Sequence, residues 1–274
     1  MSFSTSQPIV YAQDHSHAVL QTHSWRTVAN SATYLRPYIQ SHMSILDVGC
    51  GPGSITVDLA KLVPQGRVVG IEYTSDPLKD ARTFAQQQGV TNAEFQVGDI
   101  HKLDFPDNTF DIVHAHQVLQ HVADPVQALR EMKRVCKKDG GIMAVRESAK
   151  MLWYPESQGL EHFWEVATHM GRLKGSNPHP GHHLHVWAQE AGFMRSQITC
   201  SSGAWCFASP EERAYWGGSM EERTLSSVFA ANATELNLAT QEELKAMAKA
   251  WRTWIEDDNG WFSVLHGEII CRKE

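Results

Sequence analysis

Apolar residues along this chain keep two rhythms that take turns. Ile45, Leu46 and Val48 form a short, partly β-branched run, the composition of a buried parallel strand. Ile55, Leu59, Leu62 and Val63 then recur at helical spacing. The exchange repeats down the chain. Strands are predicted over 45–49, 67–72, 94–97, 110–114 and 142–146. Helices are predicted over 54–63, over 76–88, and from Asp124-Pro125 along Val126, Leu129, Met132 and Cys136. Ahead of the first strand, Val28, Ala32, Leu35 and Ile39 predict a helix across Trp25–Ile39. Met151–Gly181 breaks the alternation with a helix that carries Leu160, Phe163, Trp164, Ala167 and Met170. A short helix at Leu184–Glu190, ended by Gly192, and a sixth strand over 196–207 follow. Pro210–Asp258 is helical again, with Leu244, Met247, Ala248, Trp251, Trp254 and Ile255 on one face. Trp261–Arg272 closes the chain as a terminal strand interrupted by Gly267.

Such alternation predicts an α/β fold: a doubly wound, mostly parallel seven-stranded Rossmann-like sheet with helical cap insertions. The chain is expected to be one domain over 1–274. Its core would be about 41–150 with 182–207 and 260–274, and its cap 1–40, 151–181 and 208–258. Ligands of such sheets bind beyond the carboxyl ends of the strands. Asp47, Glu72, Asp99, His116 and Glu147 all fall at predicted ends of that kind.

Bulk properties narrow the function. A net charge of −7 without a basic run argues against a nucleic-acid partner. No stretch approaches the roughly 20 apolar residues of a membrane span, and no secretory leader pattern opens the chain. Five scattered cysteines without a Cys-x-x-Cys pair read as reduced thiols, which points to the cytoplasm. Residues 1–24 are polar, with Tyr11, His15, His17 and His23, and fit either a tail or a flap over a ligand.

The central stretch is Ser44–Gly53, in which Gly49, Gly51 and Gly53 separate strand from helix. Glycine lets a backbone turn tightly and approach a ligand. The spacing is Gly-x-Gly-x-Gly, with Asp47 just before it. A carboxylate there would repel a pyrophosphate and welcome an ammonium, which favours S-adenosylmethionine over a nicotinamide dinucleotide. Glu72, at the end of the second strand, can accept both hydroxyls of a ribose.

Several stretches resemble class I adenosylmethionine-dependent methyltransferases, in particular the UbiE/COQ5-like, type 11 group of fungi and bacteria. They are Leu46-Asp-Val-Gly-Cys-Gly-Pro-Gly53, Val69-Gly-Ile-Glu72, Gly98-Asp99, Phe105–Asp111, His116-Gln-Val-Leu-Gln-His121 and Asp139-Gly-Gly141. The likeness runs from His23-Ser-Trp-Arg-Thr27 to Glu147 and returns at Leu184–Phe193. It implies that Asp47, Gly49, Cys50 and Gly51 hold the methionine part of the cofactor. It implies Glu72 on the ribose with Tyr73 beside the adenine, Asp99 and Ile100 on the adenine, and His116, Gln117 and Val118 under the sulfonium. Thr27 is implied as a further cofactor contact. Lys138-Asp139 departs from the Lys-Pro of many relatives, which touches a turn only.

Methyl transfer needs an aligned nucleophile, exclusion of water, and often a base. The base candidates are His116, Glu147 and His162, with His121 behind them. Each also has a structural reading: a cofactor contact for His116, an ion pair with Arg146 or Lys150 for Glu147, a core or surface position for His162. His179, His182, His183 and His185 lack a partner cysteine, and no metal is expected. Tryptophans of 153–164 and 205–216 suggest an aromatic pocket, whereas Trp251 and Trp254 suggest core packing. The expected function is methyl transfer to an oxygen or carbon of a small, rather apolar metabolite of secondary metabolism, polyketide-, terpenoid- or quinone-like. The alternatives are a non-methylating reaction on the same fold, such as a cyclisation, and a cofactor-binding regulator without turnover.

Overall fold

The first strand–helix unit sets the geometry. β1 (Ser44–Val48) pairs in parallel with β2 (Arg67–Glu72) on one side and β4 (Ile112–His116) on the other. β3 (Ala93–Val97) extends the sheet beyond β2. β5 (Gly141–Tyr154) pairs with β4, and β7 (Trp261–Lys273) then runs antiparallel between β5 and β6 (Ile198–Phe207). The seven-stranded order is β3-β2-β1-β4-β5-β7-β6 in a computed structural model that describes residues 25–226 and 228–274. The strand order turns back between β1 and β4, so the crevice at that switch point opens over Asp47, Glu72 and His116.

Crossover helices cover both faces. They are α2 (Ser54–Leu62), α3 (Asp76–Gln87), α4 (Pro125–Val135) and α6 (Leu184–Glu190); α1 (Val28–Ser31) precedes the first strand, and α5 (Gln158–Leu173) follows β5 into the cap. One core cluster joins Leu46, Val113 and Val145 to Leu129 and Met132 of α4. The opposite cluster joins Ile45, Val68 and Ile112 to Ile55 and Leu59 of α2. This is the two-sided burial that unbroken apolar strands require.

A cap with its own core stands on the carboxyl edge. It comprises α5, α7 (Pro210–Ser226), α8 (Val228–Glu235), α9 (Gln241–Glu256) and the ends of β6 and β7. Trp251 is fully buried and meets Phe163, Trp254 and Phe262 at ring centroid distances of 5.5, 5.9 and 5.7 Å. Offset and edge-to-face aromatic pairs add about 0.5–1.5 kcal/mol each beyond their buried area.

Three sequence expectations change. Trp25–Ile39 is not one helix: α1 has four residues and a 3₁₀ turn spans Arg36–Tyr38. Pro37 disfavours helix at the residue before it. Thr33 donates its hydroxyl back to the Ala29 carbonyl, a bond that competes with helix continuation. The fourth strand is shifted to 112–116: Phe110 pairs instead with Cys136 beyond α4, and the Asp111 carboxylate accepts the Ser44 amide at 2.8 Å. The fifth strand does not stop at 146. It continues with β7 to Tyr154, past an irregularity between Ser148 and Lys150, so Met151–Tyr154 is strand rather than cap helix. The 210–258 stretch is helical as expected, in three helices. The tail or flap at Tyr11, His15, His17 and His23 lies outside the described residues.

Candidate active site

A cavity of about 350 Å³ opens at the switch point. The cradle end is built by β1, β2 and the turns that follow them. Gly49, Gly51 and Gly53 have φ values of +67°, +51° and +80°, where L side chains are strained. A Cβ on Gly49 would stand 2.4 Å from Cγ2 of Val118, so the loop packs directly against the segment after β4. A Cβ on Gly51 would meet nothing within 4 Å, and this is where the backbone lies bare to the cavity.

The two acids of the cradle are anchored rather than free. Asp47 is 3% exposed and accepts the Thr56 hydroxyl at 2.6 Å. Its other oxygen lies 2.8 Å from Nδ1 of His114. Glu72 accepts the amides of Gly51 at 3.0 Å and Tyr73 at 2.8 Å, which ties the glycine loop to the end of β2. Both still border the cavity, as do Gly49, Cys50, Gly51, Tyr73, Ile100, His116, Gln117 and Val118. The sequence-implied cofactor residues are thus brought together, with two exceptions. Thr27 caps α1 in a reciprocal box with Asn30 and is not on the wall. Asp99 is also off the wall and accepts the amide and Nδ1 of His101, while its neighbours Gly98 and Ile100 line the cavity.

The other end is walled by the cap. Phe163, Trp164, Trp205, Trp216, Phe229, Met151 and Met220 line it, together with Arg26 and Arg223. His116 ends β4 at the junction between the two ends. Its ring is 5% exposed, and neither nitrogen has a hydrogen-bond partner among the described residues. Burial, with Arg26 and Arg146 nearby, holds its pKa well below the usual imidazole range. The group is therefore neutral, with one nitrogen able to take a proton.

Of the other base candidates, His121 borders the cavity, with burial lowering its pKa to about 4, whereas Glu147 and His162 are placed elsewhere. Glu147 was expected to face the cavity from the end of a strand. It lies inside β5 and turns beneath the loop, where one oxygen accepts the amides of Val118 and Leu119 at 2.7 Å each. Burial outweighs those bonds and pushes its pKa up to about 8. His162 is also absent from the cavity wall. It sits on the face of α5 that feels Glu243 at the start of α9, because a helix turns successive side chains by 100°: Phe163 and Trp164 point in, and His162 does not.

Sequence reasoning missed the support behind His116. Arg146 is 3% exposed, pairs with Glu268 at 3.3 Å and donates to the Asn30 carbonyl at 2.6 Å and to Nδ1 of His266 at 3.2 Å. Trp205 donates its indole N–H to the same Asn30 carbonyl at 2.8 Å. These partners are 116 to 175 residues apart in sequence, so no local spacing signals them. Among the described residues no group of three or more His, Cys, Asp or Glu side chains could hold a metal ion. No described helix is long and apolar enough to cross a membrane.

Comparison with known proteins fits this geometry. A family model described as a methyltransferase domain matches residues 39–194. An uncharacterized methyltransferase of Schizosaccharomyces pombe is 37% identical over 282 residues, which spans 100% of both chains. A protein of Aspergillus luteorubrus named a probable methyltransferase, ltbC, is 31% identical over 98% of this chain and 99% of its own. The crystal structure of YcgJ from Bacillus subtilis shares the fold at a TM-score of 0.58 and 21% identity, over 88% of this chain and 97% of that one. A parallel sheet reversing at β1, a bare glycine turn between two anchored acids, and full-length relatives of that name lead to one conclusion: the chain belongs to the methyltransferase domain family, as a class I adenosylmethionine-dependent methyltransferase.

Proposed function

We propose that this protein moves the methyl group of S-adenosylmethionine to an oxygen or carbon of a small, rather apolar metabolite, polyketide-, terpenoid- or quinone-like. The observation that carries the reading is the single cavity that joins the glycine cradle to an aromatic chamber, with neutral His116 at the junction. The cradle fits the cofactor: Gly51 presents open backbone, and Glu72 is held where a ribose diol would sit at the end of β2. Asp47, Gly49, Cys50, Tyr73, Ile100 and Val118 would complete its contacts. The bound cofactor supplies a methyl group on a positively charged sulfur. The protein's own residues then do three things. Val118, pressed onto Gly49, fixes the floor of the site. The aromatic cap excludes water and holds a flat acceptor. His116 takes the acceptor's proton on a free ring nitrogen. The motifs at Leu46–Gly53 and His116–His121 support placement in the UbiE/COQ5-like branch and in secondary metabolism. The free thiols among the described residues support a cytoplasmic setting.

The test is calorimetric binding of S-adenosylmethionine, followed by adenosylhomocysteine release across a panel of phenols, enols and quinols. Binding with release only when an acceptor is present is the expected result. An acceptor converted without adenosylhomocysteine would turn the reading to a non-methylating reaction, and binding without any conversion to a regulator.

A further inference from the structure

Two arginines, Arg26 and Arg223, lie on the cavity wall among the aromatic side chains of its cap end. Each is placed by its element. Trp25 docks against Trp205 and Phe207 at ring centroid distances of 5.3 Å each, and its carbonyl accepts from the side-chain amide of Asn30 at 3.0 Å. Thr27 is extended and caps α1, so Arg26 is held between two anchored neighbours. Its guanidinium carbon stands 5.6 Å from the centroid of the Trp205 ring. Arg223 rides α7, where positions 216, 220 and 223 fall on one helical stripe, and Trp216, Met220 and Arg223 all line the cavity. Both arginine side chains are half-buried. Burial pushes the Tyr215 hydroxyl up to about 12, and both arginines act against that shift, so their charges converge on one neighbour.

The charge of this chamber has one sign. The carboxylates on the described wall are Asp47 and Glu72, and both belong to the cradle. The wall's three imidazoles, His116, His121 and His179, are held toward the neutral form by burial. The two guanidiniums are therefore the fixed charges at the acceptor end of the described wall. Arg146 differs: its guanidinium carbon is 5.5 Å from the same Trp205 ring, but it is off the wall and pairs with Glu268 at 3.3 Å. A fixed cation beside aromatic and thioether groups favours an anion next to it, because opposite charge offsets the loss of water. The planar fork of a guanidinium also matches the two oxygens of a carboxylate. Arg26 acts on His116 as well, and the His116 ring lies 5.6 Å from that of Trp205. One indole is thus shared by the neutral base and a fixed cation.

We propose that Arg26 and Arg223 form an anion site at the acceptor end of the cavity, and that the acceptor is a flat hydroxyaryl carboxylic acid with its carboxylate on the two guanidiniums and its hydroxyl at His116. The class of acceptor rests on the methyltransferase reading, whereas the anion site stands on the charge of the wall. In the transfer, the hydroxyl oxygen bonds to the methyl carbon as the carbon–sulfur bond breaks. The proton of the hydroxyl goes to His116, and the sulfur leaves as the neutral thioether of adenosylhomocysteine. The carboxylate keeps its charge throughout. A cationic amine acceptor would meet only like charge at this end of the described wall.

Two probes of nearly the same shape differ in charge: 2-naphthoate and its neutral counterpart 2-naphthamide. Their affinities for the full-length protein with excess adenosylhomocysteine are measured by calorimetry. The wild type is expected to prefer the acid by about tenfold or more, the worth of a charge-assisted hydrogen bond. Raising the salt should narrow that ratio. Arg26→Gln and Arg223→Gln should each lower it by at least about threefold, with the affinity for 2-naphthamide within about twofold of wild type. Arg223→Lys keeps the charge and should hold the ratio above that of Arg223→Gln, which separates charge from packing. Equal affinities in the wild type, failure of the acid to bind, or a ratio that survives either glutamine variant overturns the proposal. Methyl transfer is followed separately, as adenosylhomocysteine release from S-adenosylmethionine with 1-hydroxy-2-naphthoate or 1-naphthol. A preference for the anion without release keeps the anion site and counts against the methyltransferase reading. Release with 1-naphthol and no preference for the anion keeps that reading and overturns the anion site.

Discussion

The two ends of the cavity are held together by different kinds of contact. At the cradle end, the acids' partners lie on the same or an adjacent strand unit: Asp47 with Thr56 and with His114 of β4, and Glu72 with Gly51 and Tyr73. At the acceptor end they are distant: Gln117 with His266, and Asn30 with Trp205. Charge divides the same way. The cradle carries two carboxylates, whereas the imidazoles His116 and His266 are stripped of charge by burial and by nearby arginines. On the proposed function, one end would take a cationic nucleoside and the other a flat molecule about to lose a proton, on a wall that also carries Arg26 and Arg223. Short motifs can carry most of the first, since the ends of β1 and β2 and the turns that follow them build it. The second exists only where β4, β5, β6, β7 and the cap helices meet.

His116→Ala puts the greatest pressure on this contrast. Turnover is expected to fall about 10²–10⁴-fold, while calorimetric affinity for S-adenosylmethionine stays within about twofold. Equal losses in both would assign His116 to the cradle. Because its pKa is held well below the usual range, His116 stays neutral, and its protonation should not depress turnover between pH 8 and about 6.5.

Next in size, Trp251→Ala removes the centre of the cap core, and thermal or denaturant unfolding should show a loss of about 3–5 kcal/mol. Unchanged stability would mean that the cap does not depend on its own aromatic core. Glu72→Ala acts on the cradle alone. It should weaken S-adenosylmethionine about tenfold to a hundredfold, and near-normal affinity would remove this acid from the cofactor site.

Glu147→Gln gives the smallest change, in a pH slope. Burial raises the folded-state pKa of Glu147 to about 8, above its unfolded value, so the proton is bound more tightly when folded. The stability this contributes is complete below about pH 4.5 and is lost as pH climbs through about 8. Unfolding free energy of the wild type should decline across that window by at most about 1.4 kcal/mol per pH unit from this group, and Glu147→Gln should flatten the decline. Parallel slopes in the two proteins would show that Glu147 is ionised throughout.

The expected base candidates separate for the same reason as the two ends. His116 was legible because it follows an apolar run and ends a strand on the binding edge. Glu147 looked equivalent, but β5 runs on to Tyr154 because β7 continues to pair with it, so the carboxyl end of that strand is not where an apolar run of five residues suggests. His162 was adjacent to cavity residues in sequence and on another face in space. Thr27 and Asp99 were spent locally, one on a helix cap and one on His101.

By itself the sequence determined the alternation of strand and helix, the glycine turn at 49–53 and the acids at its two sides, because each depends on contacts within a turn or between neighbouring strands. Only the tertiary structure decided which polar groups face the acceptor and in what protonation state. Those properties come from desolvation and from hydrogen bonds across more than a hundred residues of chain, as between Gln117 and His266, and neither leaves a local pattern to read.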